Sequence, residues 1–368
     1  MLANSGGYPD LSDTRSVAGC LDHIRRRLEG RRLTVMEVCG THTWAISRFG
    51  FRDALRDQIT FTSGPGCPVC VTSPADLDWA VACAASGVVL HVPGDMMRVP
   101  AGSGTLSQAR AQGADVRVVY SPVGSVGAAE AESGKEHVYF AVGFETTAPA
   151  IALAVKRASD LRLGNYSIFT AVKTMPPALA ILARDPEMKV DGYLLPGHVA
   201  SITGSDAFTF LSDYGRPSTV AGFAPLEVAY ALCVLVDLVL EGRHDAVNCY
   251  RHLVRPEGNQ PALRLMDKYM EKRDAEWRGL GVVPGSGLGL RPEFAWFDAA
   301  SRMEIAVSHA PEPEGCRCAD VLRGRLVPTQ CARFGQACTP ASPLGPCMVS
   351  SEGACAAHFA YWDGRAGA

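Results

Sequence analysis

Six cysteines fall within the last part of the chain: Cys316, Cys318, Cys331, Cys338, Cys347 and Cys355. Turn-forming residues interleave them (Pro328, Gly335, Pro340, Pro343, Gly345, Pro346), and no hydrophobic period runs through the stretch. A core alone cannot hold such a segment, so a metal or cluster is expected to supply the missing constraint. Zinc usually shows paired CxxC knuckles or histidine partners. No paired knuckle appears here, and the wide separations suit an iron–sulfur cluster held by four cysteines better. Zinc, or no metal, are the alternatives.

Two further cysteine groups lie far upstream. Cys39-Gly40-Thr41-His42-Thr43 follows an apolar strand and opens a helix. A thiol at a helix N-terminus is expected to have a lowered pKa, because exposed N–H groups favour the thiolate. With an imidazole three residues on, it can hold a borderline metal such as Fe(II). Thr41 and Thr43 can cap the helix whether or not a metal is bound, and a simple buried Cys beside a capping Thr is the alternative. Gly64-Pro65-Gly66-Cys67-Pro68-Val69-Cys70 is a rigid loop with a CxxC pair, able to form a disulfide or share a metal. No second CxxC lies nearby, which counts against a zinc ribbon.

Glu145 and Thr146, in GFETTAP (143–149), and His198, in PGHV (196–199), also sit where strands end. Glu145 reads either as a partner of a helix dipole or as a cleft residue, and His198 either as a satisfied polar residue or as part of the same cleft. No GxxxxGK[ST] phosphate loop occurs, nor a CxxxCxxC cluster signature. Gly285–Gly289 reads as a turn. Cys20, Cys83, Cys233 and Cys249 stand singly in helical patterns and read as small buried hydrophobes.

These residues must be positioned by alternating strands and amphipathic stretches between about 33 and 240, the pattern of βαβ units on parallel sheets. Strands are expected at Leu33–Cys39, Ile59–Ser63, Val88–Val92, Val116–Tyr120, Val138–Val142, Ser167–Val172, Gly192–Leu195 and Thr219–Gly222. The two sets of four look alike. MEVCGTHT (36–43) resembles FAVGFETT (140–147), FTSGPGCP (61–68) resembles FTAVKTMP (169–176), HVPGD (91–95) resembles LLPGH (194–198), and VVYSP (118–122) resembles AGFAP (221–225). The order is kept, so two similar small parallel-sheet, Rossmann-like domains are expected, 31–130 and 131–240, meeting near Ala129–Lys135. Ligands gather at the carboxyl ends of strands in such sheets, so Cys39, His42, Cys67, Cys70, Glu145 and His198 are expected around one cleft.

The 368 residues carry a formal net charge of -3, with 47% hydrophobic and 20% charged residues, ordinary for a folded α/β protein. Lys and Arg are scattered, so no nucleic acid or anionic lipid is expected as partner. Residues 1–16 show no secretory pattern, and the most apolar segment, Val228 to Leu240, is too short to span a bilayer. A cytoplasmic protein without membrane contact is expected. There, thirteen cysteines point to metal or redox chemistry rather than a disulfide framework.

The segments MEVCGTHT, GPGCPVC, VGFETTAP, PGHVASITG and CTPASPLGPCMVSSEGAC, with the preceding CxC, together resemble the hydrogenase maturation family HypD from about residue 33 to 362, in family order. The resemblance implies a third, cysteine-rich, mostly helical iron–sulfur domain built from 1–30 with 241–368. It implies a scaffold that assembles the Fe(CN)2CO unit of [NiFe]-hydrogenase with a HypC-type chaperone, receiving cyanide from a HypE-type donor. Cys39 would hold the Fe(II) carrying cyanide and CO, together with a cysteine of the chaperone, and His42 and His198 would flank it. Cys67 and Cys70 would pass electrons from a [4Fe-4S] cluster. That cluster fits best on Cys316, Cys331, Cys338 and Cys355, with Cys318 or Cys347 as alternates for one position. Ala224 and Gly124 stand where the family commonly has Glu and Asp, and Val172-Lys173 differs from its usual basic pair. Read from residues alone, an iron–sulfur-dependent protein disulfide reductase is the alternative function, and a zinc-stabilised binding module a third.

Overall fold

The computed structural model describes residues 10–307 and 315–361. It is a mixed α/β protein with two sheets dominated by parallel pairing. Their strands are β1 (Leu33–Glu37), β2 (Ile59–Ser63), β3 (Val89–Val92), β4 (Val116–Val118), β5 (His137–Gly143), β6 (Tyr166–Lys173), β7 (Gly192–Pro196), β8 (Ser218–Ala221), β9 (Ala246–Asn248), β10 (Met270–Trp277) and β11 (Gly281–Leu290). The strands of the eight expected apolar runs form because helices cover both sheet faces, and β5 and β6 are buried along their whole length.

The pairing corrects the expected division at residue 130. One sheet has the order β2-β1-β7-β8-β9 and the other β10-β11-β6-β5-β3-β4. Each half of the chain therefore gives two strands to each sheet, and neither 31–130 nor 131–240 is a unit by itself. If every strand is replaced by its counterpart in the other half (β1 by β5, β2 by β6, β7 by β3, β8 by β4), the order β2-β1-β7-β8 becomes β6-β5-β3-β4. The alternation of apolar residues gave the strands but carries no information on which half a neighbour comes from.

The chain ends are placed differently from expectation as well. The helix Thr14–Arg27 packs on the helix Pro225–Leu240, where Arg27 Nε and His23 Nε2 reach the Asp237 carboxylate at 2.7 and 3.1 Å. β9 extends one sheet and the β10–β11 hairpin extends the other, antiparallel, through β6. The Gly285–Gly289 run lies within β11, not in a turn, and at Gly287 a Cβ would press on the Ala275 side chain across the hairpin. Only residues 315–361 form a separate cysteine-rich segment, built from short helical turns (Cys318–Leu322, Pro328–Gln330, Pro346–Val349) and the helix Ala354–Ala360. No helix among the described residues is long and apolar enough to cross a membrane.

A central core joins the facing sides of both sheets. Met36, Val38, Tyr193 and Leu195 from one meet Leu90, Val138, Phe140 and Val142 from the other, through the helices between them. Cys67, Cys70, Cys318 and Cys347 belong to this same core. Burying it supplies the main drive to fold, roughly 25 cal/mol per Å² of apolar surface.

Within the second sheet lies a buried histidine pair. His91 Nε2 and His137 Nδ1 are 2.9 Å apart and the rings stack at 5.2 Å, while the two outer nitrogens have no partner. Burial pulls His91 down to about 4, and His137 is lowered for the same reason. Above pH 6.5 both rings are neutral whether folded or not. As the pH falls, the unfolded imidazoles take protons that the folded pair refuses, so stability is lost between about pH 6.5 and 4. His91 alone contributes about 1.4 kcal/mol per pH unit across that window. Urea midpoints at pH 7, 6 and 5 should therefore fall more steeply for the wild type than for His91→Asn. Equal slopes would contradict the assignment.

Candidate functional site

Cys39 is the residue before the helix Gly40–Arg48, in extended conformation (φ −150°, ψ 130°) at the end of β1. The strand order explains what meets it. β1 is flanked by β2 and β7, so the loop after β2 brings the Cys67–Cys70 motif, and the loop after β7 brings His198. The Gly40 N–H donates to the Gly66 carbonyl at 3.1 Å, which seats the two loops on each other. A Cβ at Gly66 would overlap the Cys39 backbone. Gly66→Ala should thus displace Cys39 and cost about 1–3 kcal/mol, as overpacking does. Thermal unfolding of the anaerobic protein checks this, and an unchanged Tm would show that the loops do not touch as described.

His42 is fully buried. Its Nε2 lies 3.0 Å from the Gly222 carbonyl and so carries the proton there, while Nδ1 has no partner. Burial pulls its pKa down to about 4, with a smaller push from His198. Phe223 stacks on both imidazoles, at 4.6 Å from His42 and 3.9 Å from His198. Its loop is held by Glu227, whose carboxylate accepts the Phe223 and Ala224 N–H groups at 2.9 Å each. Ala224 itself brings no side chain to the site.

Two expectations for this loop are corrected. The Cys39 thiol is not lowered but pushed up to about 12, first by burial and next by the nearby Glu352 carboxylate, which together outweigh the N–H groups of Thr41 and His42. Nor do the threonines cap the helix end. Thr41 Oγ1 donates to Glu352 Oε1 at 2.9 Å, and Thr43 Oγ1 donates back to the Cys39 carbonyl at 3.3 Å. Glu352 and Phe223 were not singled out in the sequence. Glu352 had one visible signal, its place between Cys347 and Cys355.

Glu145 and Thr146 are not brought to Cys39, because β5 belongs to the other sheet. Thr146 is exposed. Glu145 is buried, accepts the Met175 N–H at 2.8 Å through Oε1, leaves Oε2 without a partner, and lines a separate groove with Thr174, Tyr214 and Lys272. Burial raises its carboxyl to about 7.

Cys67 and Cys70 are joined by a disulfide and are 3% and 0% exposed. Cys67 Sγ also accepts the Cys70 N–H at 3.2 Å, at the start of the short helix Pro68–Val71. That helix packs against Pro346–Val349, which carries Cys347. Cys318 and Cys347 form a second disulfide, so in this state neither offers a thiolate.

The remaining four, Cys316, Cys331, Cys338 and Cys355, line one cavity together with the Cys318–Cys347 disulfide, Leu344 and Met348. Burial pushes the Cys355 thiol up, and Cys338, Cys316 and Cys331 push it further. Four thiols this close repel as thiolates, and bound cations relieve that repulsion. Cys338 Sγ accepts the Leu344 N–H at 3.4 Å, a hydrogen bond that suits a ligated sulfur. A Cβ at Gly345 would run into Cys316 Sγ, so only glycine leaves the cavity open there. Among the described residues no three His, Cys, Asp or Glu side chains close on a point as ligands of one ion do. Four cysteine thiols around one cavity are the kind of donor set that an iron–sulfur cluster takes.

The segment between these thiols reaches both sheets. Ser350 Oγ donates to Asp95 Oδ2, after β3, at 2.7 Å, and Glu352 meets Thr41 after β1. The helix Ala354–Ala360 packs against Gly40–Arg48, with Tyr361 edge-on to Trp44 at 6.4 Å.

The two-sheet α/β body thus gathers a buried thiol, a disulfide loop and a cysteine-lined cavity into one thiol-rich region. Comparison with known proteins narrows this. A family model named HypD, described as the hydrogenase formation hypA family, matches residues 15–362. The hydrogenase maturation factor HypD of Rhizobium leguminosarum bv. viciae is 43% identical over 336 residues, 89% of this chain and 87% of that protein. The factor of the same name from Escherichia coli K12 is 39% identical over 350 residues, 93% and 94% of the two chains. A putative hydrogenase expression/formation protein of Methanocaldococcus jannaschii is 37% identical, covering 96% of this chain and 99% of its own. The chain belongs to the HypD family of hydrogenase maturation factors.

Proposed function

We propose that this protein is a scaffold on which the Fe(CN)2CO unit of a [NiFe]-hydrogenase is assembled, in a complex with a HypC-type chaperone and with cyanide from a HypE-type donor. The observation that carries the reading is the convergence of three cysteine groups. Cys39 lies against Gly66 of the dithiol loop on one side and against Glu352 of the cysteine-rich segment on the other.

The iron is the cargo. Cys39 would hold it as a thiolate together with a cysteine of the chaperone, since soft Fe(II) carrying cyanide and CO prefers sulfur. A proton must leave the buried Cys39 for that to happen. Its raised pKa keeps the thiol protonated and inert until a cation arrives. His42 Nδ1 is an unused acceptor, neutral above about pH 4, and suits the transient uptake of such a proton or a contact to the bound iron. Phe223 and the burial around it exclude water from a centre that oxidises readily.

Cys316, Cys331, Cys338 and Cys355 would hold a [4Fe-4S] cluster, which when bound supplies low-potential electrons. Opening the Cys67–Cys70 disulfide takes up two electrons and two protons, and closing it returns them beside Cys39. The Cys318–Cys347 pair lies in the same core, between the cavity and that dithiol.

Burial of both dithiol sulfurs speaks against the alternative, a protein disulfide reductase, because a partner's disulfide has no approach to them. The two readings separate on one comparison. Under the scaffold reading, maturation requires Cys39 and the chaperone. Turnover of protein disulfides without the chaperone, with Cys39 dispensable, would replace it with the reductase.

A further inference from the structure

Cys20 and Cys233 take no part in the site described above, and in sequence they read as unrelated small hydrophobes. They lie on the packed helices Thr14–Arg27 and Pro225–Leu240. Cys233 Sγ donates to the Cys20 carbonyl at 3.3 Å across a sequence separation of 213 residues. The two side chains lie close enough to interact, which draws Cys20 toward the thiolate and holds Cys233 protonated. Cys20 is half-buried, with one side open to solvent, whereas Cys233 is buried behind it. Farther along the same helices Asp237 is gripped by His23 and Arg27, so the two helices are pinned together beside the pair.

We propose that Cys20 and Cys233 are a redox dithiol, an oxidation site at which a peroxide closes a disulfide between the N-terminal helix and the helix Pro225–Leu240. The chemistry balances on these two side chains and the oxidant. Cys20 thiolate attacks one oxygen of hydrogen peroxide, the O–O bond breaks, and hydroxide leaves with a proton as water. The resulting sulfenic acid sits beside Cys233, whose sulfur attacks it and expels the second water. Two thiols lose two electrons and two protons, and one peroxide becomes two waters.

A partly accessible attacking thiol with a buried resolving partner is the arrangement such sensors need. Cys249 belongs to the same apolar cluster but is an unsuitable attacking thiol, because burial pushes it up to about 12. The site is independent of the proposed iron chemistry.

The test uses the full chain, purified anaerobically, exposed to hydrogen peroxide, blocked with N-ethylmaleimide under denaturing conditions and digested without reduction. The proposal expects a cross-linked peptide joining Cys20 to Cys233. In Cys233→Ser, Cys20 should instead be trapped as sulfenic acid by dimedone. Cys20→Ser should leave Cys233 alkylated. The proposal is overturned if both thiols are recovered alkylated, if Cys20 couples to another cysteine, or if the wild type and Cys233→Ser accumulate sulfenic acid equally.

Discussion

Cys39→Ala should restore no hydrogenase activity to a host lacking its own member of the family, while the variant folds and keeps any iron and sulfide in its cysteine-rich segment. The expectation of complete loss rests on where the thiol sits. Cys39 is a thiol outside the disulfides that lies against both the dithiol loop and the Glu352 segment. No neighbouring oxygen or nitrogen replaces a thiolate for a soft iron centre. Alanine removes only the sulfur atom from this buried position, a small enough change for the fold to survive. The flanking imidazoles should matter less. His42→Ala or His198→Ala should lower maturation by about 10–100-fold, the usual penalty for groups that support a metal ligand. Hydrogenase assays in complemented cells, with iron and sulfide measured on the purified variants, give both halves of the result. Normal activity with Cys39→Ala would remove the scaffold reading.

The second large effect concerns the cysteine-rich segment. Serine at Cys316, Cys331, Cys338 or Cys355 should each strip nearly all iron and sulfide from the anaerobically purified protein. Serine at Cys318 or Cys347 should leave them in place, because those sulfurs are bonded to each other. Loss of a ligand should also loosen residues 315–361. Their helical elements are short, and bound metal is expected to supply part of their folding free energy. Limited proteolysis should therefore cut the ligand variants within this segment and spare the disulfide variants. Retention of iron in Cys355→Ser, or its loss in Cys347→Ser, would contradict the assigned ligand set.

Much of this was legible before the structure. Continuous apolar runs such as those of β5 and β6 mark buried parallel strands, and all eight expected strands are present within a residue or two at most ends. The cysteine groups were visible because turns do not need sulfur. What could not be read was the pairing. Nothing in the pattern says that β1 sits beside β7 rather than beside β3, and that choice sends His198 to Cys39 and Glu145 to another groove. The pKa of Cys39 failed for a related reason. A helix N-terminus argues for a thiolate, but burial dominates, and Glu352, more than three hundred residues away in sequence, adds to it. The contact between Cys20 and Cys233 was hidden in the same way, by a packing of two helices that their own periodicities do not announce.

The most direct test of the central claim is infrared spectroscopy of this protein, purified anaerobically in complex with its HypC-type chaperone from cells able to make cyanide and CO ligands. The account predicts absorption from iron-bound cyanide and CO in the wild-type complex, and none when Cys39 is replaced by alanine in an otherwise intact complex. The same bands at full strength in the Cys39→Ala complex would contradict it.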